Sequence, residues 1–358
     1  MANTDTTQLD ALLQELEQEQ PDFYYDRDSI EAETSHTASL LKRVPIKVLT
    51  ILGGLLGMTT FMGFLLMAGL YNSGIGMLFF GICFLVGSEA LIRLKKDATA
   101  DAMGVSLNIM GYALLTIGTG QMTDGDTAVT LVLACAALMI ISLSESAICV
   151  FISVLVLNGS LLSLIFIHEA FSLSHGLIAI LAAILTYMSL YEAKLLAGSP
   201  RFGLVLGPVR MGVIVSLVIV LALFVHQKFL STSIEHFWTS SIFLAGCLLL
   251  LVHHVLRGMP MVSKQAHGVI YTCCVLLLAP FILTPSVPGA LLILLASFYI
   301  GHNPGFWVGL LALVYFVILY YYDLNMTLLA KSGVLIASGL LFLGGFVLLN
   351  NYLKSYAD

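Results

Sequence analysis

Charge is scarce in this chain. Asp, Glu, Lys and Arg make up 10% of its 358 residues, and hydrophobic residues reach 59%. An average soluble domain is about 25% charged. With a mean hydropathy of +0.99, that shortage excludes an ordinary soluble enzyme, a disordered protein and a nucleic-acid binder. It predicts an integral membrane protein. Signature motifs are also missing. There is no G-x-x-x-x-G-K-[ST] phosphate loop, which excludes a nucleotide-driven pump within this chain, and no H-E-x-x-H protease signature. The six cysteines lie inside apolar runs without a C-x-x-C pair. They read as small buried hydrophobes, with neither disulfide nor metal expected. The nine histidines form no ligand pattern; His302-Asn303 in YIGHNPG reads as a turn before Pro304. No catalytic residue, cofactor or metal is expected.

What charge there is sits unevenly. Residues 1–43 hold ten acids and three bases, a net of −7, which leaves +1 for the remainder. An acidic head is repelled by phosphate backbones and anionic lipid. Within it, Leu9, Leu12, Leu13 and Leu16 fall on one face of a helix over 8–19. The opposite face is acidic rather than lysine-rich, so the helix is expected to dock on protein rather than lie on a bilayer. The opening lacks the short basic segment of a secretory signal, so the first apolar run is expected to be retained as a span.

Twelve apolar runs follow, at 48–70, 75–92, 103–119, 127–143, 147–167, 174–191, 209–227, 238–256, 267–283, 287–301, 305–322 and 329–349. Each approaches the length a helix needs to cross about 30 Å of hydrocarbon. Helices are forced, because lipid cannot satisfy open backbone groups. The expected fold is an all-α, polytopic helix bundle of residues 44–353, preceded by the cytoplasmic head and followed by a tail, 354–358. With the N-terminus inside, 13 of the 15 Lys and Arg fall on the cytoplasmic side, leaving Lys228 and Lys331 outside, as the positive-inside rule prefers. The run at 287–301 is short and flanked by prolines. If it is re-entrant, eleven spans remain and the charge count is unchanged. Small-residue pairs at Gly53/Gly57, Gly203/Gly207, Gly305/Gly309 and Gly333/Ala337 suit close helix packing. An acid-then-base pattern at VGSEALIRLKK, SLYEAKLL and YYYDLNMTLLAK fits either ordinary helix ends or repeated helix pairs.

Few polar groups sit deep, where a charge costs about 2.5–3.5 kcal/mol on insertion scales. Glu89 is the deepest acid, four residues before Arg93. Asn108 and Asn158 are the mid-span amides, with Tyr112, Thr116, Ser153, Ser163 and Tyr187 as milder companions. Asp323 and Lys331 flank the start of the last run. The stretch Tyr320–Leu343, YYYDLNMTLLAKSGVLIASGLLFL, carries a tyrosine cluster, then Leu324, Thr327-Leu328-Leu329, Lys331-Ser332 and Gly339. Tyrosines at an interface anchor a helix, and Lys331 can be held by their rings or by Asp323.

That stretch resembles the last helix of bacterial membrane proteins grouped as domain of unknown function 4401, related to the group numbered 2157. The resemblance implies a polytopic protein of the bacterial inner membrane and carries no catalytic residues. It also implies a separate small membrane-anchored partner with a G-D-Y-x-x-L-x-Y (GDYxxLxY) motif, which this chain lacks. Two functions stand open. One is a transporter or a lipid- or small-solute permease, with Glu89, Asn108, Asn158, Tyr322, Asp323, Thr327, Lys331 and Ser332 as candidate functional residues. The other is a non-catalytic scaffold or assembly partner, suggested by the acidic head and the scarcity of deep charge.

Overall fold

The computed structural model describes residues 48–65, 73–94, 98–123, 125–198, 200–226, 236–257, 264–282 and 284–323, with a few isolated positions beside them. The acidic head with its helix over 8–19, most of the run at 329–349 and the tail lie outside the described residues. Among the described residues the fold is all helix, without strands. The helices are α1 (Val48–Leu65), α2 (Gly74–Leu94), α3 (Ala98–Met122), α4 (Asp126–Leu143), α5 (Ala147–Ile167) and α6 (Leu173–Leu190). They continue with α7 (Glu192–Gly198), α8 (Pro200–Val225), α9 (Phe237–Arg257), α10 (Lys264–Leu278), α11 (Ser286–Ile300) and α12 (Asn303–Asp323). Each apolar run up to residue 322 is therefore mainly helix over its described residues. Nine described helices are long and apolar enough to span a membrane, and the last two turns of α10 with its 3-10 extension, like α11, are shorter apolar pieces. The chain is a multi-pass helical membrane protein.

Between two helices in lipid there is little hydrophobic drive, so packing has to come from close contact and hydrogen bonds. The first half of the chain does this with backbone against backbone. On α2, Gly74, Gly81 and Ser88 recur every seven residues; on α3, Gly104, Gly111 and Gly118 do the same. The two series meet in antiparallel register. A Cβ at Gly118 would lie 2.8 Å from the Leu78 nitrogen and 3.1 Å from the Gly74 carbonyl; one at Gly111 would lie 3.1 Å from the Gly81 carbonyl. At the third level Ser88 donates its hydroxyl to the Gly104 carbonyl at 2.7 Å. The seven-residue period is two turns of a slightly supercoiled pair.

The second half packs with side chains. Leu181, Leu185, Ile214, Leu217, Leu221, Leu244 and Leu251 from α6, α8 and α9 close around α11. Nine of the fifteen α11 residues are buried. A 15-residue helix is only about 22 Å long, and burial in protein lets a short apolar helix lie at membrane depth without exposing its ends to lipid. Pro285 and Pro288 sit at its start, where no intrahelical donor is needed. At its end, Gly301 takes the left-handed conformation with φ +74. The His302 amide then donates to the Ser297 carbonyl at 2.8 Å and that of Gly301 to Phe298 at 3.1 Å, a Schellman stop. The chain reverses there: Gly305 packs on Ser297 and Gly309 on Ile293 and Leu294. So α11 and α12 form an antiparallel hairpin whose turn is YIGHNPG.

Of the small-residue pairs expected from sequence, Gly305/Gly309 is a close helix contact. At Gly53, Gly57, Gly203, Gly207 and Gly333 an added methyl would meet nothing within 4 Å among the described residues, and Ala337 lies outside them. The first two acid-then-base motifs are not equivalent. Glu89 is buried inside α2, whereas Glu192 follows α6 and opens α7.

Candidate functional site

Polar side chains that lipid would reject collect between α2, α3 and α5. Asp101, Val105, Asn108 and Tyr112 recur at helical spacing and share one face of α3. At the end of this stripe, Ser146, just before α5, donates to the Asp101 carboxylate at 2.5 Å. Further into α5, the Ser153 hydroxyl donates to the Cys149 carbonyl at 2.8 Å. Its single proton is thereby spent, so the Tyr112 hydroxyl, 2.8 Å away, is the donor to Ser153. Glu89, 8% exposed, lies within electrostatic reach of both Tyr112 and Cys149. Arg93, one turn further along α2, donates to the Leu143 carbonyl at 2.7 Å. A cation at the last carbonyls of α4 complements that helix dipole.

Asn108 lies in the same stripe and is fully buried. Neither its amide oxygen nor its nitrogen has a hydrogen-bond partner among the described residues. Asn158 differs: its amide nitrogen donates to the Val154 carbonyl at 2.9 Å, within its own helix. Neither amide therefore ties two helices together. Tyr322 and Ser332 are exposed. The side chain of Asp323, and Thr327 and Lys331 altogether, lie outside the described residues. The structure thus brings Glu89 and Asn108 into one polar seam and leaves Asn158 beside it, on α5. Asp101, Ser146 and Cys149 join the seam as residues that sequence reading did not single out. The signal for Asp101 was its seven-residue spacing from Asn108.

The family model for "Domain of unknown function (DUF4401)" matches residues 44–352. The chain belongs to that family. The match takes in α1 to α12 and the whole of the Tyr320–Leu343 stretch that carried the resemblance. No curated protein and no solved structure matches the chain.

A second polar cluster of this DUF4401 chain closes the α8 end of the other half. Arg210 is 3% exposed although it lies inside the apolar window Gly203–Val225. Its Nη2 donates to the Glu192 carboxylate at 2.6 Å. Pro208, two residues earlier, has no N–H and interrupts the α8 ladder beside it. His302, in the α11–α12 turn, accepts the Gly305 amide hydrogen through Nδ1 at 3.1 Å and so caps α12. Burial lowers the His302 pKa below its ordinary value of 6.5, the Arg210 charge lowers it further, and Glu192 opposes them. The histidine is therefore neutral, with its proton on Nε2. From sequence, Arg210 entered only as one of the bases at the cytoplasmic side. The signal passed over was the apolar segment Gly203–Pro208 in front of it, which carries the span past the arginine. His302 is the hairpin turn expected of it.

Other histidines serve packing. His175 meets Ser240 at 2.6 Å, His226 meets Tyr315 at 2.6 Å and His253 meets Tyr271 at 2.6 Å. No group of three metal-ligating side chains occurs among the described residues.

Proposed function

We propose that this chain is a permease-like protein that handles a small polar solute or a lipid head group along the α2–α3–α5 seam. The single observation that supports it is Asn108. An unmade hydrogen bond on a buried polar group costs about 1–3 kcal/mol, and polar residues kept at membrane depth are functional by default. Two open sites on one amide, beside Glu89 and Tyr112, offer a polar molecule both a donor and an acceptor.

The same reading places the protein in the bacterial inner membrane with its N-terminus in the cytoplasm. Arg93, Lys194, Arg210 and Arg257 then face the cytosol together, which fits the positive-inside preference. Reporter fusions at both termini test the orientation. An external N-terminal reporter overturns it, and an external C-terminal reporter removes the twelve-span arrangement.

Solvent access tests the seam. In a variant whose six native cysteines are replaced by serine or alanine, N108C is expected to react with a small, charged, water-soluble thiol reagent from one membrane face. L138C, on the exposed side of α4, should not. Failure of N108C to react from either face, in intact cells and in inverted vesicles, would mean a dry, closed seam and would sink the permease reading.

A further inference from the structure

Head and bundle carry opposite charge, and the charge of the bundle is concentrated in one place. Val48 opens α1 at the end of the bundle where α2 closes and α5 begins. The Ile51 carbonyl accepts the Ser106 hydroxyl at 3.2 Å, and Ile51 joins the cluster that holds Ile92, Ile140 and Ile148. The chain returns to this end when α6 closes, so residues 1–43 and α7 share one face of the membrane, whichever face that is. There, residues 89–101 with Glu145 hold three bases and four acids. Residues 191–210 and 254–267 hold five bases and one acid, Glu192, which is engaged with the buried Arg210. The outside of α7 is left basic, with Lys194 exposed. Beside it Tyr191 and Leu196 are 47% and 44% exposed. Both lie in the connection between the spans Leu173–Leu190 and Gly203–Val225 rather than on a lipid-facing span.

The occupant that complements such a surface is an acidic amphipathic helix, and the chain carries one. In a helical register over 8–19 the stripe of Leu9, Leu12, Leu13 and Leu16 is flanked by Glu17 and Glu19. We propose that this helix docks on α7 of its own chain, with its leucines on Tyr191 and Leu196 and its acids toward the charges of Lys194 and Arg201. The reach matches. From α1 to α8 the bundle passes through α3 and α5, which meet at Ser106, at Tyr112 with Ser153, and at Gly212 with Val154. Three helix spacings of 8–10 Å come to about 30 Å. The 28 residues between Glu19 and Val48, as a flexible chain, have a root-mean-square span of about 30 Å. A tether of matching length makes docking an intramolecular event at high effective concentration, so exposed ion pairs and a short apolar stripe suffice. The inference rests neither on the permease reading nor on which face is cytoplasmic.

The test uses the full chain, its six native cysteines replaced by serine or alanine, in a neutral detergent and in phosphatidylcholine vesicles. L13C paired with L196C is expected to be joined within one chain by a short bis-maleimide, read by mass spectrometry of the digested protein. L13C paired with L94C is the reference. Leu94 is 83% exposed and ends α2, beside the start of α1, so chance collisions favour it and docking on α7 reverses the order. K194E with R201E is expected to lower the L13C–L196C yield about tenfold, the worth of two exposed ion pairs. Reversal in the head, E15K with E17K and E19K, is expected to do the same, and the two sets combined to restore the yield. The head variant leaves the bundle untouched, so it remains informative if K194E with R201E does not fold. The proposal is overturned if both pairs join alike, if neither joins, or if the reversals leave the yield unchanged. Joining between differently tagged copies instead of within one chain overturns it in favour of a second copy. Loss of joining when phosphatidylglycerol replaces phosphatidylcholine overturns it in favour of anionic lipid.

Discussion

The two halves of the bundle solve one packing problem with opposite means. Between α2 and α3 the backbones come close, because every seventh residue is glycine or serine and leaves room for the facing backbone and for Leu85, Ile92 and Leu115. Where α11 meets α6, α8 and α9, leucine, isoleucine and valine side chains fill the space, and the backbones approach closely on the α12 side, at Gly309. The polar groups follow the same division. The α2–α3–α5 seam is held mainly by hydroxyls: Ser88, Tyr112 and Ser153 make short neutral bonds, and Ser146 donates to the Asp101 carboxylate. The α8 end of the other half concentrates a full positive and a full negative charge in one pair, sealed by a helix turn. A backbone contact has no side chain that can yield, and a buried charge has no apolar substitute for its partner. Each half should therefore fail in its own way.

The largest effect belongs to the charged half. E192A strands a guanidinium that is nearly inaccessible to water, and breaking a buried pair in this way costs about 3–5 kcal/mol. R210M should cost less, because the remaining Glu192 is 28% exposed and can hydrate. Melting temperatures of the two purified variants in one detergent check the order. Equal losses would mean that the pair is as open to solvent on the arginine side as on the glutamate side.

Next comes the glycine half. G118A puts a methyl against the Leu78 backbone nitrogen and the Gly74 carbonyl, so α2 and α3 must part. Overpacking of this kind costs about 1–3 kcal/mol. G203A, on α8, meets nothing within 4 Å among the described residues and gains up to about 1 kcal/mol of helix propensity. Resistance to heat-induced aggregation, read for both variants, should move in opposite directions. A neutral G118A would show that the helix pair is loosely packed.

That contrast also marks what sequence makes legible. The helices themselves were readable, because lipid forces hydrogen-bonded helices and a run of apolar residues has few other uses. Every described run bears this out, down to the short, proline-flanked α11. Which faces meet was harder. Gly53/Gly57 and Gly203/Gly207 satisfy the four-residue spacing yet meet no neighbour within 4 Å among the described residues. Gly104, Gly111 and Gly118 are spaced by seven and line a close helix–helix contact. Spacing shows that a face is smooth, and only a facing partner makes it an interface. Glu89 and Asn108 were legible as deep polar groups because few others exist. Arg210 was not, since a base near the start of a span reads as a snorkelling interfacial group. Its burial depends on the α7 glutamate and the α11–α12 turn, both distant in sequence.

A smaller effect separates the two members of the neutral seam. S153A leaves the buried Tyr112 hydroxyl without its acceptor and should cost about 1–3 kcal/mol. Y112F removes the donor, and Ser153 keeps its bond to the Cys149 carbonyl, so the loss should be nearer 1 kcal/mol. Chemical or thermal unfolding in detergent would show the difference, and a Y112F loss exceeding that of S153A would reverse the donor assignment.

The smallest effect is one of pH and belongs to the turn that closes the charged half. The His302 pKa is held below 6.5 in the folded chain, first by burial, then by Arg210, with Glu192 acting against both. When the chain is unfolded its imidazole titrates at about 6.5. Between the folded and unfolded values, the unfolded chain binds more protons, so stability rises with pH through that window. The stabilisation is therefore complete above about pH 6.5 and is lost as pH falls below it, down to the folded pKa. Protonation also puts a hydrogen on Nδ1 and removes the acceptor that caps α12, a contact worth about 1 kcal/mol. Asn is a competent capping residue that does not titrate, so H302N should keep the hairpin while flattening the fall in melting temperature between pH 7 and pH 5. If wild type and H302N lose stability in parallel over that range, the imidazole is not the group that senses the proton, and the turn is held by the Gly301 stop alone.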